Sequence, residues 1–221
     1  MSTQPVIAAA PSATSPGQEK QTSRLEAFSD GIFGVAITLL AIEIAVSKDT
    51  PATNAGLWQG LLLLWPKYVA YCASFIQILF MWIAHHAIFS MVRRVNVKLM
   101  LANGFLLLLV VLVPLPTKTL GEFIDTDAQL TAAALYTGYF ILISIAFNLL
   151  TQVATNPRYR LLEPSAVANV GSLVKSQRIG FVCNVLITAS TFVNIWLALA
   201  LSLGMWVYWA RVSMAKEEVM D

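Results

Sequence analysis

Between Arg178 and Arg211 the chain carries no charged residue. A bilayer core is about 30 Å thick, and about 20 consecutive apolar residues cross it as a helix. This run is too long for one comfortable span and short for two, with Thr188, Ser190, Thr191 and Asn194 near its middle. It reads as a hairpin of two helices joined around Thr191–Asn194; one long tilted helix is the alternative. Four further stretches, near 24–46, 64–91, 98–118 and 130–152, are long and apolar enough to span. The hairpin brings the total to six, the tilted helix to five. Charged residues make up 12% of the chain and hydrophobic ones 57%, whereas soluble domains carry about 25% charge. The fold class is therefore all-α, a polytopic membrane protein.

Residues 1–22, rich in Ala, Pro, Ser, Thr and Gln, have neither a basic n-region nor an apolar core of useful length. They read as a disordered tail and not as a signal peptide. Residues 23–212 form the membrane domain and 213–221 a C-terminal tail. On the six-helix map Lys20, Arg24, Arg93, Arg94, Lys98, Arg158, Arg160, Lys175, Arg178, Arg211 and Lys216 fall on one side, eleven of the fourteen basic residues. Lys48, Lys67 and Lys118 fall on the other. Cytoplasmic loops carry the excess of Lys and Arg, so both termini are expected in the cytoplasm. Trp58, Trp65, Tyr68, Trp206, Tyr208 and Trp209 lie near span ends, as an interfacial aromatic belt would. Cys72 and Cys183 sit in apolar segments without disulfide spacing and are read as packing residues.

The first span has a polar head and a charge-free body. Ser23 and Glu26 fit an S-x-x-E capping box, which places the helix start there. Arg24, Glu26 and Asp30 follow at its entry, and from Gly31 to Ile42 no charge appears. Val35, Leu39 and Ile42 are spaced i, i+4, i+7 and share one helix face, with Thr38 beside them. Ionisable groups at membrane depth are costly and mark sites. Asp30 is one, with Arg24 two turns earlier as its partner. His85 and His86 are others, and one of them is expected to hydrogen-bond Asp30 or Ser29. Adjacent histidines point about 100° apart and do not chelate one metal as an i, i+4 pair can. Glu43 sits either at an outer pore mouth or among headgroup water. Pro114, which removes a backbone donor, stops or kinks the third helix. The connection 156–177 is a linker, with a short interfacial helix around 165–174 as the alternative.

No phosphate-binding glycine loop, H-E-x-x-H, G-x-S-x-G or Cys/His constellation is present, and no cofactor, metal or nucleic acid is implied. A membrane-embedded enzyme would need a nucleophile or acid/base set that the chain lacks. The T-V-G-Y-G run of carbonyl filters is absent too.

The run R-L-E-A-F-S-D from Arg24 to Asp30 resembles the R-x-x-x-F-S-D signature of the transmembrane protein 175 family, the endolysosomal-type potassium channels and their bacterial members. W-x-x-H-H at Trp82–His86, P-L-P-T at Pro114–Thr117 and the six-span plan resemble it as well. The resemblance implies a homotetramer in the bacterial inner membrane, with the first helices of four copies lining a central pore. It places a hydrophobic filter five, nine and twelve residues after Asp30, at Val35, Leu39 and Ile42, with Thr38 as the pore-adjacent polar residue. Arg24, Phe28, Ser29, Asp30, Trp82, His85 and His86 would form a buried network holding the pore helix. The transported ion would be K+, with Cs+ and Rb+ also permeant and membrane lipid as the surrounding partner. Val35 departs from the bulkier residue usual at the first layer, which would loosen that ring. A proton-coupled transporter or proton leak through Asp30 and the histidines is the alternative.

Overall fold

The computed structural model describes residues 16–217, and among them the regular structure is helical, with one isolated antiparallel bridge between Val92 and Leu162. In chain order the helices are α1 (Pro16–Ile42), α2 (Asn54–Leu63), α3 (Trp65–Phe89), α4 (Val97–Val111), α5 (Pro114–Phe123), α6 (Gln129–Ala154), α7 (Val170–Thr191) and α8 (Ile195–Glu217), with a 3-10 segment at Pro164–Asn169. Among the described residues four helical segments are long and apolar enough to cross a membrane: Gln21–Ile42, Trp65–Phe89, Val97–Phe123 and Gln129–Ala154.

α1 starts earlier than the capping box places it. Ser23 lies inside the helix, and residues 16–22, expected in a disordered tail, are its first turns. Gln18, Glu19, Lys20 and Gln21 are good helix formers, and Pro16 at the first position needs no N–H partner. Thr22 is buried and its hydroxyl reaches the Arg93 carbonyl at 3.5 Å, tying this turn to the end of α3. Residues 1–15 of the expected tail lie outside the described residues. At the other end α8 runs through Glu217, so the expected tail from 213 is helical at its start, and 218–221 are not described.

The third span breaks where Pro114 predicts it. Leu112 and Val113 tighten to i−3 bonds on Leu109 and Val110, at 3.3 and 3.2 Å, and α5 continues to Phe123 instead of stopping near 118. The break is a kink because Thr117 N–H resumes the i−4 pattern on Val113 O. α7 and α8 form the predicted hairpin, turning at 192–194. Asn194 caps α8, its Oδ1 accepting from Trp196 N–H at 2.8 Å and Leu197 N–H at 3.2 Å. The short interfacial helix considered around 165–174 is not separate. Its first half is the 3-10 segment and its second half the start of α7. The sequence reading had no counterpart to α2, whose cap is Thr53 Oγ1 accepting from Gly56 N–H at 3.0 Å.

The core sits between α3, α4, α5 and α6, with Ile78, Leu106, Val110, Leu120 and Leu150 almost fully buried. α1 packs on α3, α4 and α5 at one edge, α7 packs along α6, and α8 is joined to α3 through Trp206 Nε1–H donating to Gln77 Oε1 at 2.6 Å.

Candidate pore-lining face

α1 has two faces of different fate. Ser29, Phe33, Ala36 and Leu40, spaced i, i+4, i+7, i+11, are buried against the rest of the chain. At 3.6 residues per turn a second face, about 120° round the helix, carries Phe28, Val35, Leu39 and Ile42. These are 58%, 49%, 36% and 71% exposed. An apolar stripe is thus left unpartnered within the chain, although α1 is anchored firmly on its other side. Thr38 lies beside it, its hydroxyl donating to Val35 O at 2.8 Å. The proton is thereby engaged by the helix, and what remains of the hydroxyl for any visitor is oxygen lone pairs.

The anchor is polar at its centre. Ser29 Oγ donates to Leu25 O at 2.8 Å and accepts from Asn103 Nδ2 at 2.9 Å. Asn103 Oδ1 therefore faces His85 Nε2, 2.8 Å away, and takes the ring proton from that nitrogen. Ser29 and Asn103 are 0% exposed and His85 2%. The imidazole packs edge-on to Phe33 and stacks on Phe89 at 5.4 and 4.4 Å between centroids. A separate, exposed arm joins the same helices: Trp82 Nε1–H donates to Asp30 Oδ1 at 2.8 Å, and His86 stacks on Trp82 at 5.9 Å. The two histidines, pointing apart as their adjacency requires, serve different clusters.

Three expectations need correction. No histidine bonds Asp30 or Ser29 directly, because Asn103 stands between His85 and Ser29. Arg24 is exposed and forms no ion pair with Asp30, since two residues six apart on a helix lie on different sides. Phe28, expected in the buried network, is 58% exposed within the single chain. Sequence reasoning also missed Asn103, although a lone amide in the apolar run Leu99–Val113 is the signal that reveals such a residue. It left Glu43 between two roles. Its Oε2 lies 3.0 Å from Lys118 Nζ, an ion pair joining the end of α1 to α5.

Cavities of about 170 Å³ and 300 Å³ lie along α8, against α3, α6 and α7. Neither is lined by α1, and the cavity that α1 does line, beside Leu40, Glu43 and Lys118, is only about 10 Å³.

Residues 24–114 match the sequence pattern of the family described as endosomal/lysosomal potassium channel TMEM175. A protein from Chamaesiphon minutus named as a potassium channel is 38% identical over 198 residues, covering 90% of this chain and 98% of that one. The chain belongs to the TMEM175 family. The crystal structure of a lysosomal potassium-selective TMEM175 homolog from the same organism superposes with a TM-score of 0.78 at 38% identity, covering 88% of this chain and 98% of that one. The human TMEM175 protein, named an endosomal/lysosomal proton channel, is 33% identical over 106 residues, 45% of this chain and 21% of that one. The family is thus named for ion channels, not enzymes, and this TMEM175 chain is a membrane protein. The family match begins at Arg24 and takes in the exposed stripe, Asp30, Trp82, both histidines and Asn103.

Proposed function

We propose that this chain is a potassium channel, conducting K+ down its gradient through a pore at the axis of a homotetramer. Each copy contributes six spans, α1, α3, α4 with α5, α6, α7 and α8. Both termini face the cytoplasm and the assembly sits in the bacterial inner membrane. The observation that carries this reading is the free stripe of α1. A helix buried on Ser29, Phe33, Ala36 and Leu40 offers Val35, Leu39 and Ile42 to whatever lies beyond the subunit. Four copies arranged about an axis would stack those residues into three apolar rings, with the Thr38 oxygens beside them.

An apolar ring narrow enough to expel water closes the pore by dewetting, since a cation must shed hydration where no carbonyl cage replaces it. Opening dilates the rings. Weakly hydrated K+, Rb+ and Cs+ then enter at less cost than Na+. Val35 is the smallest of the three, which leaves Ile42 and Leu39 as the tighter layers. The names of the bacterial relatives support K+ as the ion.

The test is single-channel recording in a planar bilayer with K+ on one side and Na+ on the other. Wild type is expected to reverse at a K+-selective potential, and Ile42→Asn to move that potential toward zero. Absence of unitary steps, with saturable proton-linked uptake into liposomes, would overturn the proposal. Proton permeation is the second reading, favoured by the names of the vertebrate relatives. The chain from His85 through Asn103 to Ser29 ends on the Leu25 carbonyl and does not reach Asp30, which argues against a relay through these groups.

A further inference from the structure

The inner part of α1 is held by Asn103 and Trp82. Its outer end is held differently, and α5 supplies the hold. α5 lies on α3 with almost no clearance: a β-carbon at Gly121 would stand 3.2 Å from Lys67 Cα and 3.3 Å from its Cγ. One turn earlier, the buried Thr117 hydroxyl meets Ser74 Oγ at 2.7 Å, and Ser74 meets the Tyr136 hydroxyl at 3.2 Å. Thr117 also donates to Val113 O at 2.8 Å, across the kink before Pro114. α3, α5 and α6 are therefore locked together at this level. Lys118 is the next residue, so its cation is presented from a fixed post. Its partner Glu43 directly follows Ile42, where α1 ends, and from 44 the chain leaves helical structure.

We propose that Glu43 and Lys118 are a positioning pair. The ion pair fixes the outer end of α1, and with it the Ile42 side chain, against the α3–α5–α6 post, and K+ over Na+ discrimination depends on that placement. This inference rests on α1 being the pore wall. The pair does not touch the ion; it acts through Ile42. The competing role for Glu43 is a bare anion that attracts cations at the pore mouth. The two roles differ in sign: if only local charge matters, Glu43→Gln and Lys118→Met shift cation conduction in opposite directions, whereas loss of the tether shifts both the same way.

The experiment measures K+/Na+ reversal potentials in planar bilayers for wild type, Glu43→Gln, Lys118→Met, Glu43→Lys with Lys118→Glu, and Ile42→Asn. Solvent-exposed ion pairs are weak, so both neutralised variants should assemble. Each is expected to lower the K+/Na+ permeability ratio roughly two- to fivefold, in the same direction, and the reversed pair to return it within about a factor of two of wild type. Opposite shifts, or a shift from Ile42→Asn with none from either neutralisation, overturn the positioning role alone. Ile42→Asn without effect overturns the pore reading beneath it. If a neutralised variant does not assemble, the reversed pair decides: assembly with wild-type selectivity supports the tether, and assembly with lost selectivity overturns it.

Discussion

Replacing Asn103 by Leu isolates the buried anchor of α1. The side chains are similar in size, so the change removes hydrogen bonds with little cavity. Two bonds go, at 2.9 Å to Ser29 and 2.8 Å to His85. Ser29 keeps its bond to Leu25 O, so its loss is close to the bilayer average of about 0.6 kcal/mol for an interhelical hydrogen bond. His85 fares worse, because its Nε2–H is stranded among Phe33, Phe89 and the core. A buried unsatisfied donor costs about 1–3 kcal/mol. The total is roughly 2–4 kcal/mol, most of it from His85. The stranded donor can be removed: Phe at position 85 fits between the same two rings, so Asn103→Leu with His85→Phe should recover about 1–2 kcal/mol of the loss. The assay is equilibrium unfolding of the purified protein in SDS mixed micelles, with the two single variants completing a double-mutant cycle. Losses that add without coupling would refute the direct bond. Because Asn103, on α4, meets α1 on its buried side, reversal potential should not change in Asn103→Leu.

Other outcomes follow from the same geometry. Asp30→Asn keeps an oxygen for Trp82 Nε1–H and has no ion pair to lose, so it should cost under about 1 kcal/mol in the same unfolding assay, whereas a buried pair with Arg24 would cost about 3–5. Gly121→Leu forces side-chain atoms into the α3 backbone and should lower stability by about 1–3 kcal/mol through overpacking, read as earlier loss of the assembly on gel filtration after heating. The phenol of Tyr159, in the 155–163 loop, is held below its ordinary pKa, first by a hydrogen bond from Lys98 Nζ at 2.9 Å and then by that charge and Arg158. Folding favours the phenolate relative to the unfolded chain, so the stabilisation is fully present above the unfolded pKa near 10 and disappears as pH falls through the lowered folded value, below which it contributes nothing. Ultraviolet difference titration of Lys98→Met against wild type should show one tyrosine moving to higher pH, and no movement would refute the contact.

The membrane-helix pattern and the face of α1 were legible because both depend on short-range periodicity. Val35, Leu39 and Ile42 needed only the helical repeat to be grouped, and the hairpin turn at 192–194 follows from polar residues interrupting an apolar run. The helix start was misplaced because a capping box is a local signal that good helix formers upstream override. A motif alone places Arg24 and Phe28 in a buried network, and within one chain both side chains are exposed.

The sequence by itself determined that the chain is a bundle of membrane helices, that the third span breaks at Pro114, and which apolar residues share a face. Each of these depends on residues within a few turns of one another. Only the tertiary structure decided what holds α1 in place. Asn103 lies 74 positions from Ser29, Trp82 52 from Asp30, and Lys118 75 from Glu43. Contacts at such separations depend on how α3, α4 and α5 pack around α1, and a polar side chain in an apolar run announces that it needs a partner without naming which one.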